Sequence, residues 1–310
     1  MILGGTRFLG RAIADAALER GHELTLFTRG ETNADLFPEA ERLHGNRDGG
    51  LEALEGRRWD AVVDTSGYVP RIVRDSAELL RDSGRYLFVS SVSVYADFSV
   101  APAEGHAVAE LGDASVDELA SDYSNYGSLK ALCEQAVEDV FGERALIVRP
   151  GLIVGPHDPT GRFTYWAHRL QQGGEILAPG PPERNTQFVD VRDLAAWIVE
   201  AVESGLSGIF NATNEGVPWH ELLAGAEVVW VPDDFLREQE VGEWMELPLW
   251  LGDPDSAGML AVDVGRAVAA GLTFRPLAET IDGAADAPAV EGVGLKPDRE
   301  AELLEAWRAR

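Results

Sequence analysis

Cysteine occurs once, at Cys133, so the chain can close no disulfide on itself. A reducing cytosol is the compartment this usage suggests. Basic charge is scarce as well: 26 Lys and Arg stand against 53 Asp and Glu, for a net charge of −27. Nucleic acids and anionic membranes need a cationic face, so neither is an expected partner. A small anionic substrate needs only a local cationic pocket and stays possible. No run of about 18 apolar residues is present to span a bilayer. The opening Met1-Ile2-Leu3-Gly4 lacks the basic start and apolar stretch of a secretory signal. Lysine is nearly absent, with Lys130 and Lys296 the only two, so a lysine inside a motif is informative. What is present is a globular mixture: 310 residues, 45% hydrophobic and 25% charged, enough for one large domain or two coupled ones.

The first 150 residues alternate short apolar runs with amphipathic stretches. Ile2-Leu3 is a stub of a strand, and Leu9, Ile13, Ala16 and Ala17 recur at helical spacing before Gly21, a helix stop. Strands are expected at 24–28, 59–64, 85–90 and 145–149, and helices at 70–83 and 125–141. This alternation predicts an α/β fold, a doubly wound parallel sheet of the Rossmann type. After Pro150, glycine and proline cluster, and 151–284 reads mainly as a smaller substrate-binding region. Within it, a helix over 190–203 and a strand over 208–212 are expected to return to the first domain. Trp219, Trp230, Trp244 and Trp250 are either core or pocket lining. Residues 285–294 read as a linker, and 300–308 as an amphipathic helix that docks on its own domain or on a partner.

Gly4-Gly5-Thr6-Arg7-Phe8-Leu9-Gly10 lies between the first strand and the first helix. A dinucleotide pyrophosphate needs a tight turn, close backbone approach and free N–H groups at a helix start. Gly4 and Gly10 supply the outer glycines, while Arg7 takes the middle position. The second strand ends Thr28-Arg29-Gly30, with no carboxylate before Glu31. An arginine there suits a 2′-phosphate, so NADP(H) is expected to be preferred, with NAD(H) possible.

Tyr126 and Lys130 are four apart and share one face of a predicted helix. With six tyrosines and two lysines, this spacing arises by chance only about 0.04 times per chain. A free phenol is a poor base at neutral pH, and a neighbouring ammonium is expected to lower its pKa. Upstream, Ser90-Ser91-Val92-Ser93-Val94-Tyr95 leaves a strand and enters a turn, where a serine can donate to a substrate oxygen.

These segments, with 149–156 and 188–195, resemble in order the extended short-chain dehydrogenase/reductase superfamily, the NAD(P)-dependent epimerase/dehydratases. The resemblance covers roughly residues 1–215. The variant Gly4–Gly10 turn looks most like an atypical branch that includes the chloroplast stem-loop-binding proteins. By this resemblance Tyr126 is the acid/base, Lys130 its activator and ribose ligand, and Ser91 the hydroxyl donor, with Ser93 as the substitute. It also implies cofactor contacts from Gly4, Thr6, Arg7, Phe8, Leu9, Gly10, Thr28, Arg29, Asn46, Thr65, Ser66, Gly67, Tyr126, Lys130, Pro150, Gly151 and Ile153. No metal is implied. A homodimer through the 125–141 helix is the default.

Three departures accompany the resemblance. The first strand is shorter than the family's. Arg7 replaces a glycine. Where nucleotide-sugar members carry an arginine just before the residue matching Phe188, this chain has Asn185-Thr186-Gln187, with Arg184 earlier. His157 and Asp158 either line the pocket or belong to a surface loop, and Tyr165, Trp166 and His168 are either pocket candidates or helix-packing residues. The expected activity is hydride transfer at a secondary alcohol or ketone of a sugar-like substrate. The alternatives are an NADPH-dependent carbonyl reductase of a biosynthetic pathway and an RNA-binding or cofactor-sensing protein. The acidic charge opposes RNA, and the intact Ser/Tyr/Lys set opposes a pure sensor.

Overall fold

A computed structural model describes residues 1–113, 116 and 118–310. The elements in order are β1 (Ile2–Leu3), α1 (Phe8–Glu19), β2 (Thr25–Thr28), β3 (Glu41–His44), β4 (Ala61–Asp64), α2 (Pro70–Leu79), β5 (Arg85–Val89), α3 (Tyr126–Phe141) and β6 (Ala145–Pro150). There follow β7 (Ile153–Val154), α4 (Arg162–Gln172), β8 (Glu175–Pro179), β9 (Asn185–Thr186), β10 (Val189–Asp190), α5 (Val191–Glu203) and β11 (Gly208–Ala212). The last are β12 (Val217–Pro218), α6 (Trp219–Leu222), β13 (Glu227–Val231), α7 (Asp233–Glu238), α8 (Gly265–Ala269), α9 (Leu277–Ala285) and α10 (Pro297–Arg308).

Seven parallel strands form the central sheet in the order β11-β6-β5-β4-β1-β2-β3. It is a Rossmann-type α/β sheet. Alternate residues of each inner strand face opposite layers. Ile2, Leu26, Val63, Leu87, Leu146 and Val148 meet Ile13 of α1 and Leu194 and Ile198 of α5. Leu3, Phe27, Val62, Phe88 and Ile147 meet Val73 of α2 and Cys133 and Val137 of α3. The two residues of β1 suffice for pairing on both sides, Ile2 with Leu26 and Val63 and Leu3 with Phe27 and Asp64.

The second layer of structure has its own core around Phe163, Trp166, Trp219, Phe235 and Trp250. The tryptophans divide: Trp219 and Trp250 are buried, whereas Trp230 and Trp244 are half-buried. Trp166 is buried and His168 bonds to Ala285 O, so packing accounts for both. Helix α10 docks on its own chain through Leu303, Leu304 and an Arg169–Glu300 ion pair at 2.9 Å. The stretch read as a linker is packed instead. Val290 abuts Gly161, Gly294 lies against the Tyr165 ring, and Ala287 is buried. No helix among the described residues is long and apolar enough to cross a membrane.

Candidate active site

The carboxyl ends of β1, β4, β5 and β6 meet along one edge of the sheet, where ligands bind in open α/β folds. At β1, Gly4 and Gly5 adopt φ of 106° and 100°, a region that favours glycine. A Cβ on Gly4 would lie 2.5 Å from Thr65 Oγ1, and one on Gly10 would lie 2.7 Å from Gly5 N. The turn is a cradle open only to a backbone without side chains, which fits a dinucleotide pyrophosphate. Gly5 is as constrained as Gly4, with Leu26 Cδ2 2.6 Å from the same position. Its need is invisible in the sequence because it depends on that neighbouring strand. Thr6 and Leu9 are buried, Phe8 is half-buried at φ 37°, and Arg7 is exposed. Asn33 Nδ2 donates to Thr6 O at 2.8 Å and ties the loop after β2 to the turn. Thr28 ends β2, and the exposed Arg29 beside it pairs with Glu31 at 3.2 Å.

After β3, Asn46 is exposed and its side chain accepts from Asp48 N. The neighbouring Arg47, which sequence reasoning missed, turns inward. Its guanidinium donates to both oxygens of the buried Asp64 at 2.6 and 2.8 Å and to Ser76 Oγ at 2.6 Å. Asp64 also accepts from Tyr86 Oη and Ser66 N, so its lone pairs are filled. This network anchors the Thr65-Ser66-Gly67 segment, in which Thr65 Oγ1 and Ser66 Oγ donate to Leu3 O.

Helix α3 carries Tyr126 and Lys130, the two residues expected to handle protons. Gly127 lies against Ser93 O, only 2.0 Å from where its Cβ would be. Any larger residue there would lift the first turn of α3, and Tyr126 with it, off the Ser91–Val94 turn. Ser91 Oγ donates to Ser93 Oγ and accepts from Ser93 N, each at 3.1 Å. The Lys130 ammonium is buried and donates to Gly67 O and Val89 O, both at 2.7 Å. It lies 4.1 Å from the Phe88 ring centroid and 5.4 Å from that of Tyr68. Burial lowers its pKa from 10.5 to about 8, against the opposing pull of Cys133, Asp64 and Glu134.

Tyr126 departs from expectation. Its pKa is pushed up to about 12, chiefly by burial and then by Tyr68, while the Ser91 hydroxyl opposes the shift. In the free chain desolvation outweighs any help from the neighbouring ammonium. The rings of Tyr68 and Tyr123 flank that of Tyr126, each at 6.4 Å, and both are exposed.

Glu134 continues the same face of α3 and forms a buried bidentate pair with Arg149 of β6, at 2.9 and 2.6 Å. The Arg149 guanidinium stacks 4.9 Å from the Tyr95 ring, and Tyr95 Oη donates to Asn211 at 2.7 Å. Pro150 ends β6, Gly151 abuts Thr213, and Ile153 pairs with Val189. His157, at φ 66°, lies near Arg11 and Asp15 of α1. Asp158 is buried and bonds to Thr160. Arg184 is engaged by Asp233 at 2.9 and 2.7 Å. Gln187 is buried and bonds to Asn214 O and Val262 O, each at 3.0 Å.

A glycine cradle at the carboxyl edge of a parallel sheet is the arrangement of a dinucleotide-binding fold. The model of the NAD dependent epimerase/dehydratase family matches residues 1–212, and the chain belongs to that family. It is similar to the chloroplast stem-loop binding protein of 41 kDa b of Arabidopsis thaliana, 27% identical over 73% of this chain. The match spans 61% of that relative's length. It is also 25% identical to a 2-alkyl-3-oxoalkanoate reductase of Stenotrophomonas maltophilia (strain K279a), over 72% of this chain and 73% of the relative. In fold it resembles the UDP-glucuronic acid 4-epimerase of Bacillus cereus in complex with NAD, with a TM-score of 0.63. That likeness has 14% identity and covers 92% of this chain and 96% of the other.

Proposed function

We propose that the protein transfers hydride between NADP(H) and a secondary alcohol or ketone of a sugar-like substrate. One observation carries this reading. The buried Lys130 ammonium joins the Gly67 carbonyl, on the segment beside the glycine cradle, to the Val89 carbonyl, two residues before Ser91. A cofactor held by the first segment and a substrate oxygen held by Ser91 are thereby brought to one place.

A bound nicotinamide supplies the hydride chemistry. Gly4, Gly5 and Gly10 admit the pyrophosphate to the start of α1. Lys130 has three donors and spends two on backbone carbonyls, leaving one for a ribose hydroxyl. Ser91 orients the substrate oxygen. Tyr126 Oη gives that oxygen a proton in reduction, or takes one in oxidation. With its pKa raised to about 12, the phenol is protonated at neutral pH in the free chain, which favours the donating role.

Arg29, with no carboxylate at the end of β2 to hold a ribose 2′-hydroxyl, is assigned to the 2′-phosphate. Arg29→Ala is expected to weaken NADP(H) binding about tenfold and leave NAD(H) within about twofold, the scale of one exposed charge-assisted contact. Calorimetric titration with both cofactors reads this, and an equal loss for both would remove Arg29 from phosphate recognition.

The assignment of Lys130 predicts a pH dependence. Only the ammonium can donate its third proton, and it is the majority form below about pH 8. NADP(H) affinity is therefore expected to be flat between about pH 7 and that value, above the second ionisation of the 2′-phosphate at about pH 6, and to fall above it. In Lys130→Met affinity should be weaker and flat through the same range. A wild-type profile that stays level to pH 10 would contradict the role.

A carbonyl reductase acting on a less polar substrate is the second reading, favoured by the exposed faces of Tyr68 and Tyr123 beside Tyr126. Stoichiometric NADPH consumption distinguishes a reductase from an epimerase, which shows no net cofactor turnover. A homodimer through α3 is part of the proposal, and light scattering tests it.

A further inference from the structure

Arginine almost always finds a partner in this acidic chain. Among the described residues, Arg162 is the one partly buried arginine with neither a hydrogen bond nor an ion pair. The other arginines without such partners, Arg7, Arg58 and Arg266, are exposed. Arg162 opens α4, and its guanidinium lies over the Trp244 ring at 4.8 Å, with Nε buried and unbonded. Burial lowers its pKa, and the one carboxylate found to act on it is that of Asp158. Asp158 is itself committed to Thr160 N and Oγ1 at 2.8 and 3.0 Å. A desolvated cation left unpaired beside so many carboxylates is costly, and stacking on an indole offsets only part of that cost.

The surroundings are built to hold this arrangement. Trp244 sits at φ 66°, a region a bulky residue avoids unless its surroundings impose it, and its backbone N–H donates to Trp250 O. Gly161, at φ 69°, precedes α4 and gives it no side-chain cap, and the first turn carries no acidic residue. A Cβ at Gly161 would meet Val290 at 2.6 Å, so a capping side chain has no room there. Thr164 Oγ1 in the same turn is buried without a partner. Contacts lead from here to the carboxyl edge of the sheet. Phe163 packs on Phe188 at 4.7 Å, Phe188 N bonds to Asn214, and the adjacent Thr213 abuts Gly151.

We infer that Arg162, held on Trp244, binds an anionic group, a carboxylate or phosphate, of the small-molecule substrate. A planar guanidinium with its outer nitrogens free suits either group in a two-point contact. The name "substrate" for the ligand rests on the proposed hydride transfer, whereas the anion site itself does not.

The test uses the full chain saturated with NADP⁺, so that the glycine cradle does not compete for the probe. Inorganic phosphate and D-glucuronate are titrated separately by calorimetry, with melting temperature read in parallel. The wild-type chain is expected to bind at least one of them saturably, and which one identifies the group. Arg162→Met is expected to weaken that binding by at least about tenfold and to melt no lower than wild type, because it removes an unpaired desolvated cation. Arg162→Lys should retain part of the affinity. The inference is wrong if the wild-type chain binds neither probe, or if Arg162→Met binds as tightly. A wild-type chain that fails to bind NADP⁺ counts against the hydride-transfer reading alone. The anion comparison between the two chains then proceeds without cofactor.

Discussion

Tyr126→Phe is expected to lower turnover by about a thousandfold, within the range that general acid–base catalysis contributes, and to leave NADP(H) affinity within about twofold. The substitution removes one hydroxyl. The ring keeps its neighbours Tyr68 and Tyr123, and Gly127 still seats α3 on Ser93. Among the described residues Ser91 is the one other hydroxyl that acts on Tyr126, and an aliphatic hydroxyl is too weak an acid to replace the phenol. Steady-state kinetics with a calorimetric check on cofactor binding reads both halves. Ordinary turnover in the variant would place the proton donor elsewhere. Loss of cofactor binding would instead make the hydroxyl part of the nucleotide site.

The second large effect is on stability. Arg149→Met leaves Glu134 in the interior without its partner, and breaking a buried pair from one side costs about 3–5 kcal/mol. Glu134 and Arg149 have side chains only 4% and 3% exposed, so solvent cannot substitute. Replacing both, as Arg149→Met with Glu134→Leu, removes the stranded carboxyl group and is expected to recover most of the loss. Urea denaturation of the two single variants and the double variant measures the coupling. The pair spans α3 and β6, one turn along from Lys130, so the single variant should also lose activity. If Arg149→Met unfolds at the wild-type urea concentration, the pair does not support the catalytic helix.

Much of this site is local and could be read in the chain. A glycine turn between strand and helix, and a tyrosine four residues before a rare lysine, need only neighbouring positions to be meaningful. The inner strands β2, β4, β5 and β6 were legible because they are apolar on both faces. Edge strand β3 was not, since Glu41–His44 has exposed ends, half-buried middle positions and a single apolar residue, Leu43. The helix expected over 70–83 ends at Leu79, and Gly84 then lies close against the backbone of Asp60.

What the sequence hides is long-range. Gly127 looks like any small residue until Ser93 O is found beneath it. Arg47 follows the residue read as a cofactor contact, yet it is the one directed at Asp64 across 17 positions. The raised pKa of Tyr126 reversed the expected direction because burial, which spacing does not report, is the largest influence on it.

The central claim is that this edge of the sheet holds a nicotinamide dinucleotide. Calorimetric titration of the wild-type chain with NADP(H) and NAD(H) tests it most directly, with Gly10→Val as the control that fills the cradle. The account predicts saturable binding with NADP(H) the tighter, abolished in Gly10→Val, whose Cβ would stand 2.7 Å from Gly5 N. Binding of neither cofactor by the wild-type chain, or equal binding by Gly10→Val, would contradict it.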